Sequence, residues 1–556
     1  MSILFEYERG IFKERFINRL SGVWEWTLTP AVKTFQDDYG RTLYIDETNS
    51  DVYNVIALSV DYEYYTSVNS IVDCYDTEKS YFYDEATRKI YLHIENYDPP
   101  YGHYVVIGVS VGFSMDAETA YFEGRQYPPL VSKIGSFKNS VDPLFFGLLK
   151  YQTLNIDFIN NHGFFDDWKN KNAFNNLARL LVGTGTDYNN YTIKHTGFIS
   201  DWSRDFKKFS LKIDDKRKSL TQTVGDSVLT LADYPYLSEG DVNKTKPVAY
   251  GKIFDALPVC LNSEQGISTF TYCFVDTKYN TPSSLDAVYV DGVAKTPTST
   301  NLSAGTFTLS EAQVDGGEVT CDFTMPTTNG VDIIKDLMYR YDDKTYNSSI
   351  WDTAETDAAQ ALSRNTSLYC SGDMKLNEAI EKVCFDCDIT FYLRNSGLYN
   401  CRVYDADRVP VATIPTYKYL DEPDFDNTSS EYLTDVKIKW KPRQNSGTHN
   451  TYLNDSYHNE TMARYKRENI AEYETGLYTE DDARLKSETV MQYSSNVKDI
   501  IQNSLPIEYD YLEIRDFIIT SPDKRIGQDA EMRTYEVLYV ERDYIKNTVK
   551  LKLREI

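Results

Sequence analysis

Cys384 and Cys387 stand three apart, a spacing that could hold half a zinc site or form a redox pair. Zinc needs two further ligands, and no His-x3-5-His or second CxxC follows. A redox pair belongs at a helix N-terminus, where the positive helix end lowers a thiol pKa. This pair falls at the end of a helical pattern, so it reads as two structural thiols. The other six cysteines, Cys74, Cys260, Cys273, Cys321, Cys370 and Cys401, are too sparse in 556 residues for a disulfide framework.

The acidic candidates are Asp166-Asp167 beside Trp168, Asp405 with Asp407, and Asp421 with Asp424. A glycosidase needs two carboxylates roughly 5–10 Å apart across a sugar, and chain neighbours rarely reach that separation. The other two groups offer oxygen ligands for calcium but lack EF-hand spacing, so they read as solvated acidic turns. The glycines of Val182–Thr186 lack the GK[ST] that completes a phosphate loop. The six histidines, His93, His103, His162, His195, His449 and His458, form no HExxH and no Cys/His cluster, and no GxSxG occurs. No residue stands out as catalytic, cofactor-binding or metal-ligating, no cofactor is expected, and the chain is expected to be a non-enzyme.

A formal net charge of −26 argues against a surface that grips nucleic acid, which needs a basic face. It is compatible with a conduit whose negative wall repels phosphates. The opening MSILFEYERGIFKERF carries early charges and is not read as a signal peptide. No run of about 18 apolar residues exists to span a membrane. The 46 tyrosines suit half-buried strands and interfaces, where one end of the ring stays wet.

The elements that must position these residues are mostly strands. Ser80–Ile94 alternates on either side of a polar turn and predicts a hairpin. Leu130–Phe137, Leu148–Ile159, Thr192–Asp201 and Lys208–Ile213 predict longer strands, with Ala178–Gly183 between them. Asp291-Gly292 and Gly316-Gly317 mark turns. Gly330–Tyr339, Asp352–Ser363 and Lys375–Cys387 predict helices. In the last, Leu376, Ala379, Ile380, Val383, Cys384 and Cys387 form one apolar stripe, with Asp373 as the expected cap. Tyr432–Trp440 predicts a strand, Asn445–Lys466 a surface excursion, and Thr479–Tyr493 a capped helix. Strands are expected at Tyr509–Ile519, Arg533–Val540 and Thr548–Arg554.

Two distant segments echo each other. Gly197–Asp214 reads GFISDWSRDFKKFSLKID, and Tyr535–Leu553 reads YEVLYVERDYIKNTVKLKL. Each is an apolar strand, then Arg-Asp-aromatic, a polar turn, and a strand of alternating lysine and apolar residues. Each hairpin is expected to close a barrel of one type, so that a trimer would form a ring of six barrels.

In segment order the chain resembles the baseplate-hub or tail-tip hub proteins of tailed phages and related injection devices. The resemblance rests on Gly197–Ile213, Lys246–Gly251, Tyr272–Asp276, Val288–Gly292, Val331–Leu337, Leu376–Phe391 and the C-terminal hairpin, and it covers roughly residues 125–556. It implies a mainly β multidomain chain with two tube-like β-barrels, a β domain and a small α+β domain. The expected divisions are a β-rich region at 1–125, a first barrel at 126–218, a β domain at 219–328, the α+β domain at 329–420 and a second barrel at 421–556.

The resemblance also implies a virion structural protein, assembled in the bacterial host cytoplasm. It would form the hub of the baseplate or tail tip, join the tail tube to the central spike or fibre, and line the DNA channel. The implied partners are two further copies in a homotrimer, tail-tube and distal-tail proteins, and a spike or fibre protein, with no specific nucleic-acid binding and no membrane. The alternatives are a hexameric distal-tail-type ring, a receptor- or carbohydrate-binding tail protein, and a cell-wall glycosidase. Residues 1–125 could be an adaptor, an interface or part of the first barrel.

Overall fold

A computed structural model describes strands throughout the chain and side chains from residue 114 onward, apart from 116–128, 141–152, 167–173, 185–189, 264–267, 425–431, 522–531 and scattered single positions. The protein is mainly β. The chain divides into two compact units. One comprises Met1–Ser136, Gln152–Lys216 and Asn395–Gly397; the other comprises Phe137–Tyr151, Arg217–Arg394 and Leu398–Ile556.

The first unit is built on a sheet of nine strands among the described residues. Its centre is β1 (Thr153–Ile159), β2 (Leu177–Gly183), β3 (Thr192–Arg204) and β4 (Lys208–Asp215), in the spatial order β1-β4-β3-β2. Alternation drives the pairing: Leu154, Ile156 and Phe158 of β1 and Phe209, Leu211 and Ile213 of β4 are buried, and polar residues lie between them. Phe165 stacks on Phe209 with ring centroids 4.4 Å apart. Val131–Ile134 flanks β1, and Ser2–Lys13 pairs with β2 from Ser2↔Gly183 to Tyr7↔Ala178. The N-terminal strand satisfies the open edge of β2 and carries the sheet on into Val105–Ser114 and Asn54–Val60. The hairpin expected in Ser80–Ile94 forms between Ser80–Asp84 and Lys89–His93.

The second unit holds a sheet whose centre is β5 (Ile500–Pro506), β6 (Phe517–Thr520), β7 (Arg533–Asp543) and β8 (Thr548–Glu555), in the order β6-β7-β8-β5. Ala412–Ile414, Asp424–Asp426 and Phe137–Ser140 complete it. Val537, Val540, Val549, Leu551 and Leu553 pack with Ile501, Leu505 and Ile518 in its core. Each such side chain contributes roughly 1.5–3 kcal/mol on full burial.

Three helices, α1 (Gly330–Asp342), α2 (Thr353–Leu362) and α3 (Leu376–Asp386), form an α+β layer with Ile389–Leu393 and Tyr399–Val403. All six residues of the predicted α3 stripe are fully buried. The expected cap, Asp373, lies outside the described residues; the carboxylate of Glu378 accepts the Lys375 N–H at 3.1 Å and closes the first turn. Two four-stranded sheets, containing Ser284–Val290 and Thr306–Ser310, share a core around Phe274, Phe307 and Phe323. Asp291 and Gly292 both take positive φ, 47° and 76°, as a two-residue hairpin turn requires. At Gly251 (φ 71°) an added Cβ would strike the Thr366 carbonyl, which explains the glycine after Val248–Tyr250.

Two expectations need correction here. Tyr432–Trp440 supplies a strand, Asp435–Trp440, that joins a separate three-stranded sheet and not that of β5–β8. Its partners come from Asn445–Lys466 and beyond: the strand Asn450–Asn454, with α4 (His458–Tyr465) after it, and the strand Ile470–Glu474. The apolar residues of α5 (Glu480–Ser494), among them Ala483, Val490 and Met491, cover this sheet, and Thr479 caps the helix by accepting the Asp482 N–H at 3.1 Å. That helix supplies the buried surface which a polar segment could not supply for itself.

Candidate assembly site

The echoing hairpins share their register residue by residue. In β3–β4, Ile199 faces Ile213, a bulge falls at Ser200, and Asp201 then faces Lys212. In β7–β8, Val537 faces Leu553, the bulge falls at Leu538, and Tyr539 faces Lys552. The pairs continue in step to Arg204↔Phe209 and Arg542↔Val549.

The correspondence extends to four strands. Leu154 and Phe158 of β1 face Ile213 and Phe209; Ile501 and Leu505 of β5 face Leu553 and Val549. Leu177 of β2 faces Phe198, and Phe517 of β6 faces Glu536. Before β2 and β6 the chain passes through a left-handed residue, Asn175 (φ 60°) and Arg515 (φ 68°). The N–H of each bonds to the residue preceding the bulge, to the Ile199 and Val537 carbonyls, at 2.9 Å in both cases. An ordinary hairpin requires neither the bulge nor the left-handed residue, so the shared details define one strand frame occurring twice.

The Arg-Asp pair has the same work in both frames. Asp205 Oδ1 accepts the N–H groups of Lys207 and Lys208 at 2.7 Å each, and Asp543 Oδ1 accepts those of Ile545 and Lys546 at 3.1 and 2.9 Å. Those two bonds to the Asp205 backbone neighbours hold its carboxyl below the usual range. The arginines reach back to the loop after the frame's outer strand. Arg204 donates to the Asp166 carbonyl, and Arg542 donates to the carbonyls of Asp510, at 2.8 Å, and Leu512.

The frames differ at one edge. Phe137–Ser140 pairs along β7 from Phe137↔Arg542 to Ser140↔Tyr539, and the Phe137 ring meets Tyr544 edge-on at 5.7 Å. Tyr544 is 3% exposed and Arg542 1%. Among the described residues nothing pairs with the matching edge of β3, Asp201–Arg204, and Phe206, the counterpart of Tyr544, is 94% exposed.

The sequence candidates for chemistry lie elsewhere. Cys384 and Cys387 are fully buried, and burial pushes both thiols up. Asp166 serves the turn after β1, accepting from Asn160 Nδ2 at 3.0 Å; Asp167, Trp168 and Thr186 lie outside the described residues. Asp405 accepts the Asp407 N–H at 3.0 Å, and Asp421 accepts the Ser504 N–H and hydroxyl at 2.7 and 2.6 Å, so these carboxylates tie turns and strands. Burial alone would raise Glu355, but hydrogen bonds and charge from Arg402 and Arg408 hold it down at about 2. Asp386 is fully buried, and burial pushes it up to about 6 although Thr366 and the Gly476 N–H donate to it at 2.7 and 2.9 Å.

One cluster escaped the sequence reading. Asp435, His458 and Glu468 bring ligating atoms together, and His458 Nδ1 lies 2.9 Å from the Asp435 carboxylate, whose hydrogen bond raises the histidine pKa. Gaps of 23 and ten residues leave no local spacing that could have shown it. The arrangement is that of a His–Asp pair at the start of α4.

The fold thus defines a mainly β protein carrying a duplicated strand frame. No family model matches the chain, and no curated protein matches it. Among solved structures it is similar to a tail protein from Neisseria meningitidis MC58, at 8% identity and a TM-score of 0.36, covering 78% of this chain and 94% of that one. It is similar to a prophage tail protein from Listeria monocytogenes EGD-e, at 9% identity and a TM-score of 0.38, covering 78% and 93%. It is also similar to a component of the virion of a native gene transfer agent, at 10% identity and a TM-score of 0.39, covering 60% and 89%.

Proposed function

We propose that this chain is a structural protein of a phage-type tail, and that it forms the hub at the tail tip or baseplate. The observation carrying this reading is the duplicated frame, β1–β4 and β5–β8, with common register, bulge and turn. A chain with two interchangeable frames lets a trimer present six equivalent sheets on one side and three copies of the rest on the other. Such an object joins a sixfold tube to a threefold spike or fibre. In this reading the two frames close as tube-like barrels around the channel, and the acidic balance keeps DNA from sticking to it.

A chain bearing a compact tag, imaged within the assembled particle, tests the reading. The tag is expected on the tail axis at the distal end of the tube. A tag off the axis, or along the tube, overturns it. The hexameric distal-tail alternative would place six tags around the axis in place of three.

A further inference from the structure

Asp435, His458 and Glu468 are remote in sequence, yet one ligating atom from each lies within 4.8 Å of the other two. They arrive on three elements of the second unit: the strand Asp435–Trp440, the first turn of α4, and the turn ahead of the strand Ile470–Glu474. Each is held in place by bonds outside the cluster. Asp435 is 4% exposed, and the Thr434 hydroxyl donates to its Oδ2 at 2.7 Å. The Thr434 N–H donates to the Asn469 carbonyl at 2.8 Å, and the Asn469 side-chain amide donates to the Tyr432 carbonyl, which fixes the residue beside Glu468. The Thr461 hydroxyl donates to the Ser495 carbonyl at 3.2 Å and anchors α4.

His458 Nδ1 stands 3.0 and 2.9 Å from the two oxygens of Asp435, facing both. The Glu468 carboxylate makes no hydrogen bond or salt bridge among the described residues. Two carboxylates this close repel, and a single imidazolium between them still leaves one negative charge over. A dication beside a neutral imidazole cancels both. We propose that Asp435, His458 and Glu468 bind one divalent transition-metal ion, and that zinc fits them best. One imidazole nitrogen with two carboxylate oxygens suits zinc, whereas calcium and magnesium take oxygen ligands. Two ligands on one tetrahedral zinc stand about 3.3 Å apart, and rotation of the exposed Glu468 side chain closes the present spacing to that value. On binding, Nδ1 gives its lone pair to the metal and its proton goes to solvent. The Thr434 hydroxyl then orients a metal-bound carboxylate, and water takes the fourth position. The ion ties α4 and both turns around it to the strand Asp435–Trp440. This inference does not rest on the tail reading.

Titration calorimetry of the full chain with zinc chloride, after stripping with EDTA, tests this. The natural chain is expected to bind a single equivalent with a Kd of about 1 μM or tighter. Glu468→Gln and His458→Gln are expected to weaken binding by at least about tenfold. His449→Gln is expected to bind as the natural chain does, because His449 precedes Asn450, which pairs with Trp440 at the far end of the strand from Asp435. The metal-free melt of Glu468→Gln is expected to match that of the natural chain, since the side chain is exposed. Zinc then raises the melting temperature of the natural chain and of His449→Gln, and not that of Glu468→Gln. No zinc uptake, uptake that both Glu468→Gln and His458→Gln retain in full, or calcium bound as tightly as zinc each overturn the inference. None of these results moves the hub reading, which the position of a tagged chain decides.

Discussion

At the residue scale, two buried titratable groups give the chain opposite responses to acid. His195 is buried in the first unit, and burial lowers it from 6.5 to about 4 despite the opposing charge of Asp215. Its folded form binds fewer protons than the unfolded chain between those values. The stability held above pH 6.5 is therefore lost as pH falls towards 4, by roughly 3 kcal/mol. Asp386 is buried in the second unit with its pKa raised to about 6. Its contribution is fully present below the ordinary carboxylate pKa and lost as pH rises through 6, by roughly 3 kcal/mol. His195→Gln is expected to flatten the acid limb of the stability profile, and Asp386→Asn the rise in stability from pH 6 down to pH 4. Denaturant melts across pH 4–7 measure both; an unchanged slope in either variant contradicts the assignment for that residue. Neither environment was legible beforehand. His195 sits in a strand like any other, and the groups that meet the buried Asp386 carboxyl, the Thr366 hydroxyl and the Gly476 N–H, are remote in sequence.

At the element scale, the Arg-Asp-aromatic turn was legible because its chemistry is local. The aspartate closes the turn through neighbouring N–H groups, and period-2 alternation marks both strands. The α3 stripe was legible for the same reason. The sheet boundaries were not. Pairing between Ser2–Lys13 and β2 spans about 180 residues, and nothing in either strand names its partner. The strand Asp435–Trp440 alternates equally well for either sheet, and only the cover supplied by α5 decides where it goes. The same sequence motif also conceals an energetic difference. Arg542 is buried and donates to two loop carbonyls, whereas the Arg204 side chain is 36% exposed. Arg542→Ala is expected to cost about 3 kcal/mol by leaving buried carbonyls unsatisfied, and Arg204→Ala less than about 1 kcal/mol. Equal costs in denaturant melts would mean that the finished edge on β7 does not bury its arginine.

At the scale of the whole molecule, duplication is the feature that composition could not show and the hairpin echo only hinted at. Among the described residues no helix is long and apolar enough to cross a membrane. The acidic balance and the abundance of tyrosine fit large wet interfaces, but they fit many other proteins as well. What distinguishes this chain is that β1–β4 repeat in β5–β8 with the same bulge and the same left-handed entry, while the intervening elements do not repeat. The likeness therefore belongs to the frames and not to the chain as a whole. The most direct measurement is a reconstruction of the assembled tail tip that resolves strands. Three copies are expected, with the β1–β4 and β5–β8 sheets alternating at one radius around one ring. Sheets from the two frames at different radii, or only one frame facing the channel, would contradict the account.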